Sequence, residues 1–278
     1  MKTVKLILWS LSLILCAGSA QAQFNFNKLI DTVKKVSEAT TEIDEPREIE
    51  IGEGVASNLL GAAPLVANAN LQKYVNLIGR WLASQTERPD LPWNFGVLDS
   101  ANVNAFATPG GSVFITRGLL QKMHSEAELA GVLAHEISHV LRKHHLKAIQ
   151  KNAGAGLMGD MVGEATKNNS NRESLGKIVN FGTEMYARGL DKSDEFEADR
   201  MGVVIAARAG YDPYGLPAVL QTLQGAKPQD SDVALMFKTH PSPSDRLDIL
   251  ETLLPAKLDS YASQPQLTER FLDTLGIK

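Results

Sequence analysis

Apolar and polar positions alternate along the chain in several distinct rhythms, and each rhythm predicts an element. Residues 6–17 form an almost unbroken apolar run behind Lys2 and Lys5. From Phe24 to about Glu50 the chain turns polar and charged, with Leu29, Val33 and Val36 at helical spacing. That spacing predicts a short amphipathic helix, followed by an acidic linker over 41–50. Residues 52–60 and 71–85 read as helices, and 94–98, 103–107 and 112–116 as short strands. The last two strands flank Thr108-Pro109-Gly110-Gly111, whose central proline and glycine predict a type II turn. A long helix opens at Ser125, which forms an S-x-x-E capping box with Glu128, and Leu129, Val132, Leu133 and Val140 then fall at i, i+3, i+4 spacing. Over 152–188, rich in Gly, Ala, Ser, Asn and Met, periodicity is weak; broken helices, a loop, a lid and a surface insertion all fit. A second strong helix begins at Ser193 and runs to about Ala209. Asp212-Pro213 starts another, and helices fill most of the remainder. No internal repeat is present.

The first apolar run has the form of a secretory signal. Its positive start, its apolar stretch and the A-x-A site Ala20-Gln21-Ala22 predict cleavage before Gln23. It is too short for a permanent anchor. The sole cysteine, Cys16, lies inside it, and Leu15 is not the small residue that lipid attachment wants. The processed chain then has no cysteine, which excludes disulfides, a cysteine nucleophile and a thiolate zinc site. An exported, disulfide-free chain fits a bacterial periplasm or cell exterior. The formal charge is −4; without Lys2 and Lys5 the balance is 26 basic to 32 acidic residues, or −6. No basic stripe remains, so nucleic acid is not an expected partner. The expected division is a signal peptide at 1–22, an amphipathic helix and linker at 23–50, one domain over 51–254 and a helical tail over 255–278.

The chemistry concentrates in His135-Glu136-Ile137-Ser138-His139, within the long helix. Side chains at i and i+4 lie one turn apart on the same face, so both imidazoles can address one ion. Glu136 stands beside them as a base for water, the arrangement of a zinc hydrolase. The plain alternative is a buried helix with two ordinary histidines, which leaves three polar side chains to be satisfied on an apolar helix. A catalytic zinc needs a third protein ligand. His145 lies where a metzincin places its third histidine, but the glycine needed for the intervening turn is absent; Arg142 occupies that position in a segment that reads as continuing helix. His144 and His145 instead read as a basic helix end facing free carbonyls. The better candidate is Glu195, in Ser193-Asp194-Glu195-Phe196-Glu197-Ala198-Asp199. Glu195 and Asp199 share a helix face, so Glu195 can complete the metal sphere while Asp199 accepts the remaining N–H of a ligand histidine. Glu197 points elsewhere on that helix. The alternative here is an acidic, solvated first turn favoured by the helix dipole.

Four segments occur in an order that resembles the HtpX and CAAX-prenyl-protease family of zinc metallopeptidases: residues 103–107 with Pro109-Gly110-Gly111, HEISH, EFEAD, and Thr239-His240-Pro241 with Arg246. The likeness covers roughly 52–254 and is nearest to the soluble periplasmic branch that includes LoiP and BepA. It implies a gluzincin-type zincin-like domain of the α+β class, mainly helical, with a small sheet beside the active-site helix. It implies one Zn2+ per chain held by His135, His139 and Glu195, with Glu136 as catalytic base and Asp199 as hydrogen-bond partner or proton donor. His240 and Arg246 would stand near the cleft and assist the oxyanion, and in BepA-like members the matching histidine can approach the metal. The implied function is a metalloendopeptidase cleaving unfolded or misassembled envelope proteins. Substrates would be bound as extended strands along 104–107, with the enzyme in the periplasm or peripherally at the outer membrane and its assembly machinery. The sequence departs from membrane-bound members in lacking transmembrane segments, from BepA-like members in lacking a tetratricopeptide array, and from LoiP-like members in having no recognisable lipidation site. Rival readings are a zinc-containing chaperone or interaction protein without proteolysis, and a zinc hydrolase acting on a non-peptide bond.

Overall fold

Burial of the helix that carries the two histidines organises the structure. The computed structural model describes residues 43–151, 179–180, 182, 188–227 and 229–277. The expected signal peptide, the first amphipathic helix and nearly all of 152–188 lie outside these residues.

The first described helix, α1 (Glu45–Ala62), is capped by Asp44, whose side chain accepts from the Arg47 N–H at 3.0 Å. Pro46 stands in its first turn beside Glu45 and Glu48, where proline's fixed φ and negative charge both suit a helix start. The acidic linker expected at 41–50 is therefore corrected: its second half is helix, continuous with the one expected from 52. Helix α2 (Ala69–Ala83), capped by Asn68, buries the stripe Leu71, Val75, Ile78 and Leu82.

Strands β1 (Asn94–Leu98), β2 (Ala105–Ala107) and β3 (Ser112–Thr116) form a sheet of order β1-β3-β2. The β1–β3 pair is parallel, from Asn94↔Ser112 to Leu98↔Thr116. The β2–β3 hairpin is antiparallel, with Phe106 opposite Phe114. Gly110, at φ +78°, supplies the left-handed residue of the turn, which the Gly111 N–H closes on the Thr108 carbonyl at 3.2 Å. β2 is thus one of the two edge strands of the sheet.

After the short α3 (Arg117–Leu120) comes α4 (Glu126–Leu141), in which all 16 residues are buried. A helix covered all round cannot leave polar side chains to solvent. Its N-cap, Ser125, accepts from the Glu128 N–H at 3.2 Å, but the backbone donor to the Glu128 carboxylate is the His124 N–H, at 2.9 Å, so the capping box closes one residue earlier than expected. The packing helices are α5 (Lys192–Arg208), α6 (Gly215–Gln224), α7 (Ala234–Thr239), α8 (Pro243–Leu258) and α9 (Thr268–Leu275). No described helix is long and apolar enough to cross a membrane. The α+β, mainly helical class is as expected.

Helix α8 runs through the boundary expected at 254/255, and the segment beyond it returns to the core through Phe271, which is fully buried. Beside it, Arg270 pairs with the buried Glu126 at the start of α4. The same carboxylate accepts the hydroxyls of Tyr74 at 2.7 Å and Tyr211 at 2.8 Å. Desolvation and the facing carboxylate push both phenols well above their usual range. Glu126→Ala removes the acceptor of two buried hydroxyls and leaves a hole, a loss of about 3 kcal/mol. Urea denaturation should show the lowered midpoint; an unchanged one would mean the hub is dispensable.

Candidate metal centre

The histidines sit on the last two turns of α4, and the carboxylates come from the first turns of α5. Glu195, Asp199 and Gly202 are spaced i, i+4, i+7, so they share the α5 face turned to α4. A Cβ on Gly202 would lie 2.8 Å from the His135 amide nitrogen and 3.0 Å from its Cα. Backbone contact at that point lets the α5 carboxylates reach the α4 imidazoles.

Nε2 of His135 and Nε2 of His139 are 3.1 Å apart. Glu195 reaches toward both, Oε2 at 3.7 Å from His135 Nε2 and Oε1 at 3.6 Å from His139 Nε2. A tetrahedral zinc with metal–ligand bonds near 2.0–2.1 Å has ligand–ligand edges of roughly 3.3–3.4 Å, so each imidazole stands within a few tenths of such an edge from the other and from its nearer Glu195 oxygen. All three side chains are buried, and among the described residues they are the only His/Cys/Asp/Glu group whose donor atoms converge in this way. Glu195 Oε1 is buried and has no hydrogen-bond partner. An ionised carboxylate with a bare buried oxygen is costly, and a cation at the convergence point removes that cost. The residues present fit a divalent ion.

The remaining expected residues surround this cluster. His135 Nδ1–H donates to Asp199 Oδ1 at 2.9 Å, so His135 is the histidine that Asp199 meets. Arg246, from α8, binds that carboxylate through Nε at 2.9 Å and Nη2 at 2.5 Å. Burial alone would raise the Asp199 pKa, but Arg246 and His135 hold it well below the usual carboxylate range. The Arg246 guanidinium thus grips Asp199 behind His135. His240, just past α7, has Nδ1 2.7 Å from Glu195 Oε2. Against a desolvation that works upward, His240 and His135 bring the Glu195 carboxyl down to about 2. Glu136 lines the adjoining cleft with Asn104, Ala105 and His240, and its burial pushes its pKa up. On one side the cleft is walled by Leu119, Val132, Leu216, Val219, Leu220 and Met236.

Three features were not foreseen. Helix α4 does not continue through Arg142: Lys143 takes φ +56°, turns the chain, and helix resumes at 144. The Lys143 ammonium reaches the buried Glu48 carboxylate at 3.3 Å, which helps offset the strain of a non-glycine left-handed residue. The turn brings His144 under His139, Nδ1 to Nδ1 at 3.0 Å, and Glu197 lies 3.3 Å beyond, at His144 Nε2. His144 is therefore not a helix end facing carbonyls, and Glu197 does not point elsewhere. Finally, Asn104 is fixed by a backbone–side-chain clasp with Thr116, and its Oδ1 accepts from the Ala105 N–H at 3.0 Å, while its buried Nδ2 on the cleft wall has no partner. The sequence marks Asn104 as part of the strand and substrate edge at 104–107, and gives no sign of its unpartnered amide.

The sequence pattern of peptidase family M48 matches residues 69–254. The chain is 31% identical over 208 residues to the beta-barrel assembly-enhancing protease of Escherichia coli O157:H7, a match covering 72% of this chain and 42% of that protein. With the beta-barrel assembly-enhancing protease of Yersinia pestis it shares 30% identity, over 75% of this chain and 44% of the other. With the mitochondrial metalloendopeptidase OMA1 of Schizosaccharomyces pombe it shares 27%, over 66% and 52%. The chain thus spans less than half the length of the two bacterial relatives.

Proposed function

The chain belongs to peptidase family M48, and from that premise we propose that it is a zinc-dependent endopeptidase that cleaves extended, unfolded or misassembled proteins of the bacterial envelope, acting in outer-membrane protein quality control. The observation that carries the reading is the convergence of His135, His139 and the Glu195 carboxylate, whose Oε1 is unpartnered, beside a cleft that holds Glu136. Those three side chains would hold the ion. When bound, zinc supplies a Lewis acid for the scissile carbonyl and makes water at the site more acidic.

The chain's own residues account for the rest. Glu136 takes the proton from the attacking water and returns it to the departing amine. Asp199, ionised and gripped by Arg246, fixes the proton of His135 on Nδ1 and leaves its Nε2 lone pair free for the ion. We assign Arg246 to this positioning task in place of the oxyanion. His240 holds Glu195 Oε2 and so turns Oε1 toward the imidazoles. A substrate lying extended in the cleft beside Asn104 and Ala105 would be read by backbone hydrogen bonds, with the Asn104 Nδ2 group as a donor to one of its carbonyls. Such binding requires an extended chain, which selects unfolded segments. The names of the bacterial relatives support a role around β-barrel assembly. Export through residues 1–22 would place the enzyme in the periplasm, free or peripherally associated with the outer membrane.

Chelation tests this reading. Dialysis against a strong chelator should abolish cleavage of an unfolded casein-type substrate, and one equivalent of zinc per chain should restore it. Cleavage that survives complete metal removal would refute it.

A further inference from the structure

We propose that His144 is a positioning residue for the metal centre, passing the hold of Glu197 to His139 and fixing the tautomer in which His139 binds. The proposal rests on His135, His139 and Glu195 being the ligands.

The two ligand histidines are supported from behind in parallel ways. For His135 the chain of contacts is Arg246, Asp199, then His135 Nδ1. For His139 it is Arg142, whose Nε lies 2.9 Å from Glu197 Oε1; then Glu197 Oε2, 3.3 Å from His144 Nε2; then His144 Nδ1, 3.0 Å from His139 Nδ1. Each chain is an arginine, a carboxylate of α5 and a ligand imidazole, and the second has one extra imidazole inserted. Asp194 Oδ1 also faces His144 Nε2, at 3.8 Å.

Proton placement follows from what each group can do. Carboxylates accept, so His144 Nε2 carries a hydrogen directed at Glu197. To offer a lone pair from Nε2 to a metal, His139 must carry its own hydrogen on Nδ1. That hydrogen points at His144 Nδ1, which must then be the bare nitrogen of a neutral ring. Every proton in the chain has one consistent place, and it is the place metal binding requires. The side chain of His144 is 1% exposed, so water cannot replace it as acceptor. The left-handed Lys143 is what brings the ring there, one residue before the metzincin position of His145.

The test measures zinc affinity of the full chain by competition with a fluorescent chelator. His144→Leu keeps bulk and removes the acceptor, and should weaken zinc binding about 10- to 100-fold, the range for outer partners of metal ligands. His144→Gln, whose carbonyl can accept from His139 while its amide donates to Glu197, should recover most of that loss. Wild-type affinity in a folded His144→Leu overturns the proposal, as does a Gln variant no better than the Leu one, because then only volume matters. Should His144→Leu fail to fold, Glu197→Leu, at a partly exposed site, decides: weakening of about threefold or more supports the chain of contacts, and no change overturns it. A wild-type protein that binds no zinc overturns the underlying ligand assignment, and this proposal with it.

Discussion

Glu136→Gln should bind zinc at one per chain, like the wild type, and cleave an unfolded casein-type substrate roughly 100- to 10,000-fold more slowly, the usual contribution of a positioned general base. The two halves of this result have separate causes. Glu136 is adjacent in sequence to one ligand but is not among the converging donors, which are His135, His139 and Glu195. Glutamine keeps its size and fills the same buried place on the cleft wall. What it loses is a carboxylate oxygen able to take a proton from water and return it to an amine. Zinc content by atomic absorption, thermal melting and initial cleavage rates on the same preparations separate binding from chemistry. Undiminished cleavage would remove Glu136 from the reaction, and lost zinc would make it part of the binding site.

The second large effect is remote from the chemistry. Gly202→Val should abolish both stoichiometric zinc binding and cleavage, although Gly202 has no side chain to contribute to either. A Cβ there meets the backbone of His135 at 2.8 Å, and backbone cannot swing aside as a flexible side chain can. Helices α4 and α5 must separate, which carries Glu195 and Asp199 away from the imidazoles. Displacement of a ligand or positioning group by about 1 Å is enough to cost about 100-fold in rate, and the overpacking itself costs on the order of 1–3 kcal/mol. Gly61→Ala is the matched control, because a Cβ at Gly61 meets nothing within 4 Å. It should leave zinc content and rate unchanged. A fully metallated, fully active Gly202→Val would show that the close approach of the helices is not what assembles the site.

These expectations trace back unevenly to the sequence. Pairings within one helix were legible: His135 with His139 and Glu195 with Asp199 follow from i, i+4 spacing, and that a ligand histidine needs a carboxylate behind it pointed to Asp199, while which histidine it meets is set by the packing of α5 on α4. The three strands and the Pro109-Gly110 turn were legible for the same local reason. Legibility failed where a distant partner overrides local preference. Arg142-Lys143 reads as helix because neither residue breaks one, yet Lys143 turns, and its partner is Glu48 on α1. His144 and Glu197 look like surface charge because the turn that joins them carries no glycine to announce it. The tail beyond 254 reads as an appendage, while Phe271 and Arg270 meet residues of α4 and α2 that stand well over a hundred positions away. The start of α1 is a different case. Asp44 followed by Pro46 is a helix-start signature within plain view, outweighed there by the acidic composition around it.

The most direct test of the account is a crystal structure with diffraction collected on both sides of the zinc absorption edge. One anomalous peak per chain is expected, about 2.0–2.1 Å from Nε2 of His135 and of His139 and about 2.0–2.2 Å from a carboxylate oxygen of Glu195, with one coordination position open toward the cleft. Glu195 turned away from an ion held by His144, His145 or His240, or no peak at all in zinc-loaded protein, would contradict it.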